Sequence, residues 1–312
     1  ATIMPRLVTI AAVIIIAVMT YKKVKGSVLW GILGGTVLYY VLGITVPGFY
    51  NGLKVQHYAI KTDELDHSLR IAFVADLHSC QFGENEQILI DAINEQKPDI
   101  VLLGGDIFDD QLPDDNAEML LVGISERYPC YYVTGNHEYW DGEEAFDKKM
   151  TILEKHGVVR LADESMTISI CGEQLTIYGA DDPDAERLSS TATGRIKTPS
   201  EKASDLKAFG SEDGYTILLI HRPGSVHFYA ECGIDLALCG HTHGGLWRIP
   251  GLLNGLYAPD QGFFPQYAGG QYEDNGSVMI VSRGLAREST RIPRFYNRPE
   301  LVIVDILGTR SA

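Results

Sequence analysis

The distribution of hydrophobic and polar residues divides the chain into an apolar N-terminal segment and a longer part in which short apolar runs alternate with amphipathic ones. Residues 26–51 contain no charged residue, and residues 28–46 are almost wholly apolar. Because about 20 apolar residues cross a bilayer as a helix, this stretch predicts a transmembrane helix, with a buried core helix as the alternative. A shorter apolar run, 7–19, predicts a second span or the core of a signal peptide.

The loop between the two apolar runs is basic and gives this prediction an orientation. It contains Lys22, Lys23 and Lys25. Since basic loops tend to stay in the cytoplasm, the second span would place everything after Gly48 outside the cytoplasm. We therefore predict a membrane anchor over residues 1–50, with one or two transmembrane helices, and a domain over residues 51–312 on the extracytoplasmic side of the cell membrane. Five scattered cysteines favour free thiols and count against an oxidising compartment, so the two arguments conflict.

From residue 69 onwards, apolar runs of strand length alternate with segments of helical periodicity. Strands are predicted at 71–75, 100–103, 130–133, 215–220, 234–238, 278–281 and 301–306, and a hairpin at 166–171 and 175–178. Helices are predicted over 84–96, 116–127, 143–156 and 200–209. Continuous apolar strands alternating with amphipathic helices indicate an α/β (α+β) fold whose sheet is covered on its faces.

Residues of metal-binding type follow the ends of these predicted strands. They are Asp76, His78, Asp106, Asn136, His137, His221, His241 and His243. Because open α/β sheets place ligand sites at the carboxyl ends of their strands, we expect these side chains to converge. Glycines flank His241 and His243 and let the backbone bend so that both rings reach one small site. For that pair alone, two ordinary polar loop histidines are the alternative.

The residue types in this set indicate the chemistry. Carboxylate and amide oxygens mixed with imidazole nitrogens suit Mn, Zn or Fe, and a bridging carboxylate can hold two divalent ions about 4 Å apart. Two such ions lower the pKa of a bridging water, so that hydroxide forms near neutral pH, and they bind phosphate oxygens during an in-line displacement. The sequence therefore predicts two divalent metal ions and phosphate chemistry.

The order of these residues resembles the calcineurin-like metallophosphoesterase superfamily, whose pattern is D-x-H, G-D, G-N-H-[ED], H and G-H-x-H. The chain contains every block, namely Asp76-Leu77-His78, Gly105-Asp106, Gly135-Asn136-His137-Glu138, His221 and Gly240-His241-Thr242-His243. The resemblance covers about residues 69–306. It implies a four-layer αββα sandwich, in which two sheets pack together and helices cover both outer sides.

The resemblance also implies a role for each residue. One metal would be held by Asp76, His78, Asp106 and His243, and the second by Asp106, Asn136, His221 and His241. His137 would donate a proton or a hydrogen bond to the departing oxygen, with bracing of its loop as the alternative. Arg283 is a candidate catalytic residue that would contact the phosphate, and a structural ion pair is its rival interpretation.

Some segments resemble the membrane-anchored bacterial branch of the superfamily. They are Gly244-Gly245, Arg248-Ile249-Pro250 and Val281-Ser282-Arg283-Gly284-Leu285. This likeness implies envelope or lipid-linked phosphate substrates, although Leu246-Trp247 and Arg222 depart from the usual residues of that branch. An aromatic segment is predicted to line a groove for an acyl chain, or else to pack against itself; it comprises Trp247, Tyr257, Phe263, Phe264 and Tyr267.

The expected function is a membrane-anchored dinuclear-metal phosphoesterase that hydrolyses phosphodiester or pyrophosphate bonds of a lipid or cell-envelope component by attack of metal-bound hydroxide. A cytoplasmic hydrolase similar to the UDP-diacylglucosamine hydrolases is one alternative, and a non-catalytic metal-binding membrane scaffold is another. The expected partners are a phosphorylated or lipid-linked small molecule and the membrane. Nucleic acid is not expected as a partner, because the formal net charge of the chain is −15. Residues 1–50 contain basic residues but no acidic ones, so residues 51–312 are more acidic still.

Overall fold

The computed structural model describes residues 18, 22, 27–188, 199–210 and 214–309. The first regular element is helix α1 (Ser27–Gly48), which contains Pro47 near its end. Across the described residues, no helix is both long enough and apolar enough to cross a membrane. Apart from Val18, the predicted span over residues 7–19 lies outside the described residues.

The remaining elements follow the order predicted from the hydrophobic pattern. The strands are β1 (Lys54–Lys61), β2 (Leu69–Val74), β3 (Ile100–Gly104), β4 (Cys130–Val133), β5 (Val159–Arg160), β6 (Glu164–Ile170), β7 (Glu173–Ala180), β8 (Tyr215–Ile220), β9 (Leu236–Cys239), β10 (Tyr257–Ala258), β11 (Gly262–Phe263), β12 (Gly270–Asp274), β13 (Ser277–Val281) and β14 (Glu300–Leu307). The helices are α2 (Gln87–Gln96), α3 (Asp115–Ser125), α4 (Glu143–Lys155), α5 (Pro199–Phe209) and α6 (Val226–Cys232).

Two six-stranded sheets form the centre of the fold. The first has the order β1-β14-β2-β3-β4-β5, and the second has the order β12-β13-β9-β8-β7-β6. In the first sheet only the β14–β2 pair is antiparallel. In the second sheet the two edge pairs, β12–β13 and β6–β7, are antiparallel and the inner pairs are parallel. Strands β10 and β11 form a separate small hairpin.

The alternation of side chains along β2 shows how the layers are arranged. Ile71 and Phe73 pack into a core shared by both sheets, together with Ile217 of β8. Ala72 and Val74 face the other way, into a core with the side chains of helices α2 and α3. On the outer side of the second sheet, helices α5 and α6 cover a third core. Helices, sheet, sheet and helices therefore form four layers, and the prediction of a mixed α/β fold is confirmed.

The strand register brings the predicted site residues to one edge of the sandwich. Val74 pairs with Leu103, and Gly104 pairs with Val133, so the loops after β2, β3 and β4 leave the first sheet side by side. The chain after β2 stays close to the chain after β3, because the Asp76 N–H donates to the Gly105 carbonyl at 3.0 Å. Parallel strands thus place polar loop residues together without any long connection.

Strands β5, β10, β11 and β12 were not predicted, and two further differences concern helices. The predicted helix over 84–96 begins as a 3-10 turn, Glu84–Glu86, because Asn85 and Glu86 have positive φ angles and break the helical path. Helix α6 was missed, since seven residues give too short a periodic signal; its start is fixed by Ser225, whose side chain accepts a hydrogen bond from the Phe228 N–H.

Candidate metal centre

The loops at the edge of the sandwich hold their site residues in an unusual backbone conformation. The φ angles of Asp76, His78, Asp106, His241 and His243 lie between 48° and 67°. Residues with a Cβ avoid this left-handed region, at a cost of about 1 kcal/mol or more each, and such strain clusters at functional sites. The left-handed conformation bends the backbone sharply, so that side chains from the loops after separate strands point into one volume.

The first group of potential ligands comprises Asp76, His78 and His243. One ligand atom from each of these buried residues lies within 4.8 Å of the others. The imidazole rings of His78 and His243 have centroids 5.1 Å apart. Oxygen from one carboxylate and nitrogen from two imidazoles is a donor set that binds first-row divalent metals.

The second group comprises Asp106, His221 and His241, and their ligand atoms also lie within 4.8 Å of one another. His221 Nε2 lies 3.2 Å from Asp106 Oδ2 and 3.2 Å from His241 Nδ1. The same Asp106 oxygen is 3.5 Å from Nε2 of His78, a member of the first group. Asp106 therefore lies between the two groups, where a bridging carboxylate belongs.

Several buried polar atoms of the described residues fit a bound metal because they have no hydrogen-bond partner. They are Asp76 Oδ2, His78 Nε2, Asn136 Oδ1 and His243 Nδ1. A buried polar atom without a partner costs about 1–3 kcal/mol, so these atoms are expected to have a ligand in the working protein. Asn136 also lines the same cleft as Asp106 and His241. The residues present therefore fit divalent metal ions.

The electrostatics of the site are set by close acids and imidazoles. Burial raises the pKa of Asp106, but the charges of His221 and His78 outweigh burial and hold this pKa well below its usual range. Burial, together with the charge of His78, lowers the pKa of His243 well below its usual value. His243 is therefore neutral at pH 7, as a metal ligand must be.

His137 is held beside the two groups but stays apart from them. Its backbone N–H donates to Asp106 Oδ1 at 2.8 Å, and its ring nitrogen Nδ1 lies 2.6 Å from Asp110 Oδ1. Burial lowers the pKa of His137, but hydrogen bonding to Asp109 and the nearby acidic charges raise it to about 9 overall. The ring lines the cleft, and the neighbouring acids favour its protonated form.

Asp109 was missed in the sequence, although it contacts two site histidines. Its Oδ1 lies 3.0 Å from His78 Nδ1 and 3.4 Å from His137 Nδ1. Its other oxygen accepts hydrogen bonds from the backbone N–H groups of Gln111 and Leu112. A carboxylate on Nδ1 fixes the ring so that Nε2 faces a metal. The sequence signal was an acid three residues after Asp106, inside an acid-rich loop.

Glu138 was part of the predicted motif without an assigned role, and the structure supplies one. This fully buried carboxylate accepts hydrogen bonds from the backbone N–H groups of Asp106, Phe108 and Gly135, at 3.0, 3.1 and 2.7 Å. It therefore joins the loop after β3 to the loop after β4. Through these bonds it fixes the backbone on which Asp106 and Asn136 stand.

Arg222 supports His241 of the second group through Asp260. Its guanidinium donates to both oxygens of Asp182, at 2.7 and 2.9 Å, and to Asp260 Oδ2 at 2.7 Å. That Asp260 oxygen lies 2.9 Å from His241 Nε2. Arg222 and Asp260 together hold the His241 ring so that Nδ1 faces His221.

The structure brings together seven of the predicted metal ligands and His137, but it places Arg283 elsewhere. The cleft of about 390 Å³ at the two groups is lined by Asp106, Asn136, His137, Trp140, Asp184, Arg187, Arg222, His241, His243, Pro259 and Asp260. Arg283 lines a separate cavity instead, with Nε 3.4 Å from Glu300 Oε2. Its predicted contact with the phosphate stays a prediction.

The predicted aromatic segment is divided in the structure. Trp247, Tyr257 and Phe263 line an apolar cleft of about 350 Å³, together with Leu246, Leu256 and Ile292. Tyr267 lies apart and packs edge to face on Tyr272, with ring centroids 4.9 Å apart. Part of the segment therefore forms a groove, and part packs against its own aromatic neighbours.

Comparisons with known proteins agree with this site. The profile of the family described as calcineurin-like phosphoesterase matches residues 69–245. An uncharacterized metallophosphoesterase of Aquifex aeolicus is 30% identical over 263 residues, which cover 82% of this chain and 92% of that protein. Phosphodiesterase YaeI of Escherichia coli is 29% identical over 243 residues, which cover 76% of this chain and 82% of that protein.

Among solved structures, the NAD nucleotidase of Haemophilus influenzae aligns with 70% of this chain and 45% of its own, with a TM-score of 0.48 and 18% identity. The family match spans more than half of the chain and includes every motif of the metal centre. The chain therefore belongs to the calcineurin-like phosphoesterases and is a metal-dependent phosphoesterase.

Proposed function

We propose that the chain hydrolyses phosphodiester or pyrophosphate bonds of a lipid or cell-envelope component, with two divalent ions of Mn, Zn or Fe as cofactors. Asp76, His78, Asp106 and His243 would hold one ion, and Asp106, Asn136, His221 and His241 the other. When bound, such a pair of ions supplies the nucleophile and neutralises the phosphate oxygens. The observation that carries the proposal is the position of Asp106 between the two groups, with His137 beside it.

The chain's own residues have distinct tasks in this proposal. Asp109 and Asp110 contact Nδ1 of His137 and favour the imidazolium form, which would donate its Nε2 proton to the oxygen that leaves the phosphorus. Glu138 keeps the loops of Asp106 and Asn136 fixed, so the ligands need no rearrangement when substrate binds. Arg222 and Asp260 close one side of the cleft.

The proposed lipid or envelope substrate is supported by apolar surface near the site. The turn His243–Gly245 leads directly into Leu246 and Trp247, which begin the lining of the apolar cleft. Trp247 is 41% exposed and Phe263 is 70% exposed, so this cleft is open to solvent. An apolar cleft that starts three residues from a ligand histidine suits a substrate with a phosphate at one end and a hydrocarbon part at the other.

Hydrolysis of bis-p-nitrophenyl phosphate and p-nitrophenyl phosphate by the full chain, scanned over Mn, Zn, Fe and Mg, tests the proposal. We expect metal-dependent turnover with preference for the diester, lost in Asp106→Asn. This variant keeps the size of the side chain but removes the bridging charge. Metal-loaded protein that turns over neither compound, or a marked preference for the monoester, would contradict the proposed diester chemistry.

We also propose that residues 1–50 anchor the chain at the cell membrane and that residues 51–312 form the catalytic domain on its extracytoplasmic side. The apolar composition of 28–46 and the preceding lysines support this topology. Among the five cysteines, Cys171 is exposed, whereas the other four are buried. A membrane-impermeant maleimide should therefore label Cys171 in intact cells and leave Cys171→Ser unlabelled. Labelling only after the cells are lysed would place the domain in the cytoplasm.

A further inference from the structure

A second cavity, of about 440 Å³, lies apart from the metal cleft and combines basic and apolar walls. It is lined by segment 248–254 together with Arg283 and Tyr296. Two of its side chains are guanidinium groups, those of Arg248 and Arg283, and its rim carries Leu252, which is 82% exposed. None of its lining residues lines the metal cleft.

The guanidinium of Arg283 is mostly buried and lacks hydrogen bonds. Its side chain is 19% exposed, and within the described part of the chain no hydrogen bond from its guanidinium is found. The nearest acid is Glu300, whose Oε2 lies 3.4 Å from Arg283 Nε. The buried Nε without a partner is costly because it has lost its water, and the other N–H groups of the guanidinium make no hydrogen bond to the described residues. A ligand with several acceptor oxygens would satisfy them.

The guanidinium of Arg248 lies near that of Arg283. A Cβ placed on Gly269 would lie 3.4 Å from Arg248 Nη1 and 3.6 Å from Arg283 Nε, so both groups converge beside this glycine. Arg248 donates to the Gly244 carbonyl and to Asn254 Oδ1, which leaves other N–H groups of its fork available. Burial, and then the charge of Arg283, lowers the pKa of Arg248 to about 10.

Positive charge exceeds negative charge around the cavity, although the protein as a whole is acidic. Burial and the charges of Arg283, Arg298 and Arg248 lower the pKa of Lys54, against the opposite effect of Glu300. Like charges gathered at a largely buried position repel one another, and an anion held between them would remove this repulsion. The cavity therefore has the charge and the donors of an anion site.

The position of the cavity indicates where such an anion comes from. Tyr296, which forms part of its wall, donates its backbone N–H to the Gly48 carbonyl at 2.6 Å, at the end of helix α1. Arg298 lies over the Tyr50 ring at 5.0 Å and donates to the Gly52 and Leu53 carbonyls. Residues 295–298 thus contact the chain directly after helix α1, which has no charged residue. The cavity lies beside these contacts, because Tyr296 forms part of its wall.

We propose that this cavity is a second, non-catalytic site that binds the phosphate group of an anionic phospholipid between Arg248 and Arg283, with the acyl chains lying across Ile249 and Leu252. Guanidinium groups bind phosphate oxygens in bidentate fashion, and side chains that are 49% and 82% exposed offer apolar contact to lipid. The inference rests on the proposed membrane association, but it does not depend on the proposed hydrolysis.

The test is calorimetric titration of the full chain, in neutral detergent and with its bound metals, against mixed micelles of phosphatidylglycerol, mixed micelles of phosphatidylcholine, and inorganic phosphate. We expect saturable binding of phosphatidylglycerol, at least tenfold tighter than that of the zwitterionic lipid. Arg248→Gln should weaken this binding at least tenfold, because a charge-assisted fork is lost. Arg127→Gln, a change at an exposed arginine after helix α3, should leave it unchanged.

A variant at the rim of the cavity distinguishes binding of a lipid from binding of free phosphate. Because the changed side chain is exposed, the variant should fold as wild type does. Leu252→Asp changes a side chain that is 82% exposed, and it should weaken binding of phosphatidylglycerol at least tenfold. Equal binding of the lipid by wild type, Arg248→Gln and Leu252→Asp would overturn the proposal. So would inorganic phosphate that binds as tightly as the lipid and loses this binding in Arg248→Gln. Turnover of bis-p-nitrophenyl phosphate in the same preparations tests the catalytic proposal separately.

Discussion

Asp109 Oδ1 lies 3.0 Å from Nδ1 of His78, and both side chains are buried beside the first group of ligands. The other ring nitrogen of His78, Nε2, has no hydrogen-bond partner among the described residues. This pairing makes Nδ1 the protonated nitrogen and leaves Nε2 with the lone pair that a metal requires. Asp109 therefore positions a ligand without being one.

Asp109→Asn should lower the metal affinity of the protein by about 10–100-fold, because an amide holds the His78 ring and its tautomer less firmly than a carboxylate does. Calorimetric titration of metal-free protein with Mn or Zn measures this loss. Asp115→Asn, at an exposed acid of the same acid-rich region, should leave the affinity unchanged. Equal affinities for Asp109→Asn and wild type would show that Asp109 does not orient the ligand.

His137→Gln should lower kcat by about 10²–10⁴-fold for a diester with an alkyl leaving group, because the departing oxygen then lacks its proton donor. The loss should be much smaller for a p-nitrophenyl leaving group, which departs readily without a proton. Metal content should stay that of wild type, since His137 lies outside the assigned ligand sets. Equal losses for both substrates would point to a bracing role instead. His156→Gln, at the end of helix α4, is the matched control.

The ligand set could be predicted from the sequence because each member directly follows an apolar run. Asp76, Asp106 and Asn136 come after β2, β3 and β4, and parallel register alone brings the ends of neighbouring strands together. The pairing of the two sheets, which brings His221 and His241 to the same edge, was implied only by the family resemblance. It depends on how the shared core packs, and the hydrophobic pattern does not encode that packing.

The residues that sequence reasoning missed or misplaced depend on tertiary contacts. Asp109 stands among other acids of one loop, and only the fold shows that it contacts Nδ1 of His78. Arg283 directly precedes Gly284, at which an added Cβ would lie only 2.6 Å from Asp76 Oδ2 in the metal centre. The side chain of Arg283 instead lines the second cavity. No pattern in the sequence distinguishes these two directions.

The stability of the protein should fall as pH rises from about 4.5 to about 7, in part because of Glu86. This fully buried side chain has one oxygen without a hydrogen-bond partner, and burial raises its pKa from 4.5 to about 7. Between pH 4.5 and pH 7, Glu86 ionises in the unfolded chain but keeps its proton in the folded chain. The free energy of unfolding therefore falls as the pH rises to about 7, and the contribution of Glu86 is constant above that pH.

Glu86→Gln should remove this contribution, which is on the order of 1–3 kcal/mol. Urea unfolding at pH 4.5 and pH 8 should show that the variant gains stability relative to wild type only at the higher pH. Glu84→Gln changes an exposed acid of the same turn and should not alter the pH dependence. A Glu86→Gln protein whose stability changes with pH as wild type does would show that Glu86 is ionised in the folded state.

Gly284→Ala should weaken metal binding, because a Cβ at this position would lie 2.6 Å from Asp76 Oδ2 and 2.6 Å from Asp76 Cβ. Either the ligand carboxylate or the chain after β13 must move, and a displacement of this size is large for a metal ligand. The φ angle of Gly284 is 69°, so alanine also introduces backbone strain of about 1 kcal/mol.

A second glycine variant separates the displacement of Asp76 from the backbone strain. Gly172 has a φ angle of 87°, and a Cβ added there would have no heavy atom within 4 Å, so Gly172→Ala introduces strain alone. We expect both variants to lose stability in urea unfolding, but only Gly284→Ala to lose metal affinity in calorimetric titration. Equal metal affinities in the two variants would mean that Asp76 is not held in place by its contact with Gly284.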